Sequence, residues 1–140
     1  YNWYSASSNG TGSSMRLMTS STAEDSNSKY RYISDGYYWN NSGQNGDQRT
    51  GSWDNNEIGI SNISASILDS SDHEITVINP YASDKPTTLI LSGGGFEGNH
   101  IYSRFGHAVY NELKQHTGVR FKLTNGGNFY APHVDYYGIK

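Results

Sequence analysis

Short period-two runs constrain the fold of this chain more than any other feature of it. Val119, Phe121 and Leu123 alternate with Arg120 and Lys122, which puts an apolar row on one face of an extended segment and a charged row on the other. Ile58 and Ile60 alternate in the same way with Glu57, Gly59 and Ser61, as do Ile63, Ala65 and Ile67 with Asn62, Ser64 and Ser66. Ile75 and Val77 follow, then Leu89 and Leu91; residues 100–105 set Ile101 and Phe105 against His100, Tyr102 and Arg104. Gly, Asn and Ser clusters separate these runs at roughly 8–12 residues, the spacing of short strands joined by turns. Helical patterning is confined to residues 108–115, bracketed by Gly106 and Gly118 and long enough for a turn or two. The fold expected is all-β: a single antiparallel β-sandwich, jelly-roll-like, with long Ser/Asn/Gly-rich loops.

One domain is expected over residues 1–140, because no linker divides the chain and no repeat recurs at a fixed period. Residues 57–140 form the clearest strand-forming part, and residues 1–56 a loop-rich N-terminal part. Within the latter, residues 5–14, 20–28 and 40–53 read as loops. Residues 15–18 read as a short strand, and residues 30–33 and 37–39 as a hairpin about an Asp35-Gly36 turn. Gly93-Gly94-Gly95 reads as a sharp turn, and residues 125–128 as a tight connection to a closing strand at 134–139. The chain is polar, with mean hydropathy −0.75, yet it carries 12 Tyr, 3 Trp and a net charge of only −3. Disordered chains lack aromatics and carry more charge, so a folded, turn-rich β protein is expected. The core is expected to contain Ile58, Ile60, Ile67, Val77, Leu89, Leu91, Phe105, Val119, Phe121, Leu123 and Ile139, with Phe129 packed under the Gly126-Gly127 corner.

Several function classes are disfavoured by the same residues. Ten basic residues against 13 acidic ones, with no basic run, leave no footprint for nucleic acid. No stretch approaches the ~20 apolar residues of a membrane-spanning helix, so no membrane insertion is expected. Without Cys there are no disulfides, thiolate zinc sites or cysteine nucleophiles. The chain opens at Tyr1 with no Met and no signal-peptide pattern, which reads as a processed or truncated start.

Chemistry-bearing motifs are weak. Asp69, Asp72 and Glu74, or Asp54 and Glu57, offer carboxylates for a glycosidase pair, but Asp69 and Asp72 flank Ser70-Ser71 and read as solvated turn acids. His133 and Asp135, at i and i+2, share one face of a strand and with His100 or His107 approach a zinc-type set; as two residues they read as an exposed strand edge. The oxygen-rich Asp54-Asn55-Asn56-Glu57 lacks the alternation of a high-affinity calcium loop. No Gly-x-Ser-x-Gly elbow is present, so neither an enzyme nor a cofactor is expected. The aromatics are the best functional hint. Trp39, Trp53, Tyr37, Tyr38 and Tyr136 are candidates for stacking on a glycan or for a protein interface, and the alternative is that they fill a core poor in aliphatics. Adjacent tyrosines on a strand face opposite ways, so one of each pair is free to be exposed.

The final third carries a recognisable pattern. Thr117-Gly118-Val119-Arg120-Phe121-Lys122-Leu123-Thr124, then Gly126-Gly127-Asn128-Phe129, then Val134-Asp135-Tyr136-Tyr137-Gly138-Ile139-Lys140 resembles the closing strands of a small β-sandwich domain. That domain belongs to structural proteins of tailed bacteriophages, notably marine and cyanobacterial ones, and ends in a Gly-Asn-Phe corner and a Leu-Tyr-Gly-Ile terminus. Ile78-Asn79-Pro80-Tyr81-Ala82 with Lys85 is similar to a further element of it. Tyr136 stands in place of the usual Leu, and Ala131-Pro132 in place of Gly-Ser. The resemblance covers residues 57–140 and implies a non-enzymatic virion component: a head decoration or head fibre subunit, or a tail fibre or appendage domain. Its partners would be copies of itself, as a trimer, and other virion proteins, on the virion surface. The alternative is a carbohydrate-binding module or fibre tip reading host surface glycans, on the particle or otherwise extracellular.

Overall fold

The computed structural model describes residues 2–3, 5–6, 11–21, 28–63, 70–97, 100–123, 129–130 and 135. Among them there is no helix. The strands are β1 (Asn2–Trp3), β2 (Ser5–Ala6), β3 (Thr11–Met18), β4 (Tyr30–Asn40), β5 (Asn45–Asn55), β6 (Ile58–Ile63), β7 (Ser70–Ile78), β8 (Thr88–Glu97), β9 (His100–Tyr110), β10 (Gly118–Leu123) and β11 (Phe129–Tyr130). They form a six-stranded sheet in the order β1-β7-β8-β9-β4-β5, a three-stranded sheet β10-β3-β6, and the pair β11-β2. Every pairing is antiparallel. The two larger sheets pack face to face, giving the antiparallel, jelly-roll-like sandwich expected from the period-two runs.

The core lies between them. Met15, Leu17, Ile58, Ile60 and Leu123 come from the smaller sheet; Tyr30, Leu89, Leu91, Ala108 and Tyr110 come from the larger or its edge, with Tyr32, Ile75, Val77, Val119 and Phe121 packed around. Aromatic rings supply much of this volume, and their polar ends are paired. The buried Leu17 N–H donates to the Tyr30 hydroxyl at 2.8 Å, which ties β3 to β4 across the sandwich. Tyr110 sets its ring edge-on to Tyr30 at 5.1 Å and to His116 at 4.8 Å. Five of the expected core residues are buried and Val77, Val119 and Phe121 pack on the cluster; Ile67 and Ile139 lie outside the described residues, and Phe129 is described only by its pairing with Ala6.

Four expectations about local structure are corrected. Asp35-Gly36 is not a turn: β4 runs unbroken through it, with Gly36 opposite Gln48 on one side and Arg104 on the other. A Cβ at Gly36 would stand 2.6 Å from the Ser103 carbonyl oxygen, so the glycine serves strand contact and not chain reversal. The reversal comes at residues 40–44, where Asn40 Oδ1 accepts from the N–H of Ser42 at 3.1 Å and of Gln44 at 2.9 Å and Gly43 takes φ 75°. Residues 45–53, read as loop, are therefore strand β5. Gly93-Gly94-Gly95 likewise lies within β8, where a Cβ at Gly94 would meet the Tyr102 carbonyl oxygen at 2.6 Å.

Residues 108–115 form no helix, because their backbone groups bond to other segments. Residues 108–110 complete β9, Tyr110 N–H donates to Thr87 O and Asn111 N–H to Lys29 O, each at 2.9 Å, and just beyond the segment His116 N–H donates to Pro80 O at 2.6 Å and Thr117 N–H to Met18 O at 2.7 Å. The buried His116 ring, joined through Nδ1 to Thr87 Oγ1 at 2.9 Å, anchors this connection under the sandwich. Part of the N-terminal third, expected to be loop-rich, thus supplies three long strands, β3, β4 and β5.

Candidate interaction face

Cross-strand partners share a face of a sheet, so the registers of the six-stranded sheet sort its side chains into two sets. One face meets the smaller sheet and grades from apolar to polar along the strands. Tyr32, Ala108, Leu89 and Val77 form one row and Ser34, Gly106, Leu91 and Ile75 the next; Gly36, Arg104, Gly93 and His73 then follow, and Tyr38, Tyr102 and Gly95 come after them. Arg104 donates to Ile60 O at 3.1 Å. Burial, and secondly the Arg104 charge, lower the pKa of His73 from 6.5 to about 4.

The opposite face has no sheet over it among the described residues, and it is the more apolar of the two toward the β4–β5 turn. Its rows are Ile33, His107 and Ile90; Asp35, Phe105 and Ser92; Tyr37, Ser103 and Gly94; and Trp39, Ile101 and Phe96. Ile33, Tyr37, Trp39, Ile101 and Phe105 are each between 56% and 64% exposed. Trp53 is exposed as well, with the Arg31 guanidinium 4.2 Å from its ring centre; Arg31 Nε also donates to Asp54 Oδ1 at 3.1 Å. Strand β5 edges the face with Arg49, paired to Asp35 at 3.2 Å, and with Asp47 and Asn45 opposite Tyr37 and Trp39. On the far side β7 contributes Asp72 and Glu74, in register with Gly94 and Ser92.

The aromatic candidates are therefore divided. Tyr37, Trp39 and Trp53 are exposed. Tyr38 points to the inner side, half-buried, with its ring 5.7 Å from His100 and stacked over Gly46. Tyr136 and His133 lie outside the described residues; Asp135 is exposed, and among the described residues no three His, Cys, Asp or Glu side chains gather as a metal group. The acids of residues 54–57 face arginines and not one another, with Asp54 on Arg31 and Glu57 on Arg16 at 3.2 Å. Asp72 and Glu74 stand exposed on the open face, and Asp69 is outside the described residues.

Phe105 is the correction that matters here. Alternation places it in the core, on the same strand face as Ile101, and both point outward, because β9 continues through Gly106, Ala108 and the fully buried Tyr110, which share the inner side with Arg104. Ile33 and Ile90 join them on the exposed side. Comparisons of the chain with protein-family models, curated proteins and solved structures return no match.

Proposed function

We propose that this chain is a non-enzymatic structural subunit of a tailed-bacteriophage particle, working by protein–protein assembly on the particle surface as a head decoration or fibre subunit or an appendage domain. The supporting observation is the open face of the six-stranded sheet, where Ile33, Tyr37, Trp39, Ile101 and Phe105 stand more than half exposed together. Covered aromatics contribute about 150–250 Å² each, so this half-exposed set with Phe96, Ile90 and Trp53 offers roughly 800 Å², one partner's share of a standard interface. Its aliphatic content favours protein over sugar as the occupant, since isoleucine offers no flat ring for a pyranose. The closing motifs that resemble phage virion domains supply the particle.

A second reading rests on one corner of that face. Tyr37 and Trp39 are flanked on β5 by Asp47 and Asn45, a stacking platform beside hydrogen-bonding groups, as a glycan-binding fibre tip requires. Quantitative mass spectrometry of purified particles tests the main reading. Hundreds of copies per particle are expected for a head subunit and a few to a few dozen for a tail appendage; absence from particles would overturn it. Loss of binding to host surface polysaccharide on Trp39→Ala, with the fold intact, would establish the second.

A further inference from the structure

Among the described residues strand β5 is the edge of the six-stranded sheet and is hydrogen-bonded to β4 alone. An edge of this length is a template for another strand, and proteins that avoid such pairing blunt it with Pro, Lys or a bulge. Residues 45–51 carry no Pro and no Lys. They pair with β4 in unbroken register, from Trp39 opposite Asn45 to Ile33 opposite Gly51, and the bulge is confined to the far end, near Tyr30 and Tyr32. Asp47 and Arg49 are both exposed on this stretch, two residues apart and so on the same face.

We propose that β5 pairs antiparallel with β5 of a second copy about a two-fold axis at Gln48, fusing two six-stranded sheets into one. The inference rests on the reading of the chain as a self-assembling subunit, with a two-fold pair in place of the trimer that the resemblance implies. The register follows from charge. A two-fold axis across an antiparallel edge passes through a residue that faces its own copy, and directly opposed residues share a face. Centred on Gln48, the pairing sets Asp47 opposite Arg49 of the partner subunit, and by symmetry Arg49 opposite Asp47 of the partner subunit. Centred on Asp47 or Arg49, it sets identical charges against each other, which is destabilising. Flanking pairs at the Gln48 centre are Gly46 with Thr50 and Asn45 with Gly51, none of them bulky. The two apolar faces then lie on the same side of the joined sheet, open to a further virion partner.

The test uses the whole chain in sedimentation equilibrium, as the parent, as Asp47→Arg and as Arg49→Asp. The parent is expected to sediment at twice its 15.5 kDa. Each variant opposes like charges at both sites, so its self-association should weaken about tenfold or more. An equimolar mixture of the two variants restores opposite charges at both sites and should recover the dimer. Both positions are exposed, so Asp47→Arg should melt within a few degrees of the parent; Arg49→Asp also gives up the exposed pair with Asp35 on β4 and should melt somewhat lower while staying folded. A parent that stays monomeric at roughly 100 µM, where a weak dimer of that Kd is populated, overturns the proposal. So does a mixture that fails to recover association, or an oligomer that both variants form as the parent does. In that last case self-assembly stands and uses another surface. Copy number in particles tests the wider reading independently.

Discussion

His73 should make this protein lose stability as the pH falls from about 6.5 towards 4. The residue sits on β7 with its ring turned inward and 7% exposed. It faces Gly93, where an added Cβ would run into the ring nitrogen Nδ1 and the Asp72 carbonyl oxygen. Burial first, and Arg104 second, hold its pKa at about 4 instead of 6.5. In the unfolded chain the imidazole recovers a pKa of about 6.5. Below that value the unfolded state binds a proton that the folded state refuses until the pH approaches 4. Stability is therefore undiminished above about pH 7, falls as pH drops from about 6.5 to 4, and levels below. At about 1.4 kcal/mol per pH unit the full loss is about 3 kcal/mol, of which about 2 kcal/mol has gone by pH 5. That is a large share of the 5–15 kcal/mol typical of a domain.

Urea denaturation of the parent and His73→Gln at pH 7.5 and pH 5 isolates this residue, because contributions from every other titrating group cancel in the difference. The parent's stability relative to the variant should decline by about 2 kcal/mol between the two pH values. Arg104→Gln should leave most of the effect, since burial is the larger cause. A parent–variant difference that stays constant within about 0.5 kcal/mol would refute the burial argument.

Other perturbations separate the core from the open face. Tyr30→Phe removes the acceptor of the buried Leu17 N–H and should cost about 1–3 kcal/mol in urea unfolding; an unchanged midpoint would show that this N–H finds another partner. Gly93→Ala wedges a methyl group against His73 and the Asp72 backbone, with an expected loss of about 1–3 kcal/mol. Phe121→Asp, on a side chain packed against the core, should cost several kcal/mol by thermal melting, and a parent-like melt would contradict the placement of β10. Phe105→Ser, by contrast, should change stability by no more than about 0.5 kcal/mol while weakening assembly, the reverse of a core substitution.

The architecture was legible because period-two runs carry their own evidence. Ile58 and Ile60, Leu89 and Leu91, and Val119 and Leu123 were each read as core from alternation alone, and each is buried in or packed on one cluster. Glycine misled the same reading. Gly36, Gly93 and Gly94 lie within strands because neighbouring backbone and rings approach too closely for a Cβ, a requirement set by strands distant in sequence. Polar strands were missed for a related reason. In β5 the pattern of residues 45–55 shows no apolar alternation, and its strand identity comes from pairing with β4.

The face of β9 shows where such reasoning ends. Alternation establishes that Ile101 and Phe105 share one side and Tyr102 and Arg104 the other, but not which side another sheet covers. The deciding residues are further along. Gly106 lies under the Ile33 carbonyl and Ser34, with a Cβ position only 2.9 Å from each; Ala108 and Tyr110 then complete the buried set. Sheet contact demands small residues and one well-placed ring on that side, and it tolerates Arg104 because the guanidinium reaches Ile60 O. The more apolar half of the strand is thereby left facing water. Local preference and global packing disagree on this strand, as they do where a surface serves something other than the fold, and the correction at Phe105 falls on residues of the proposed assembly face.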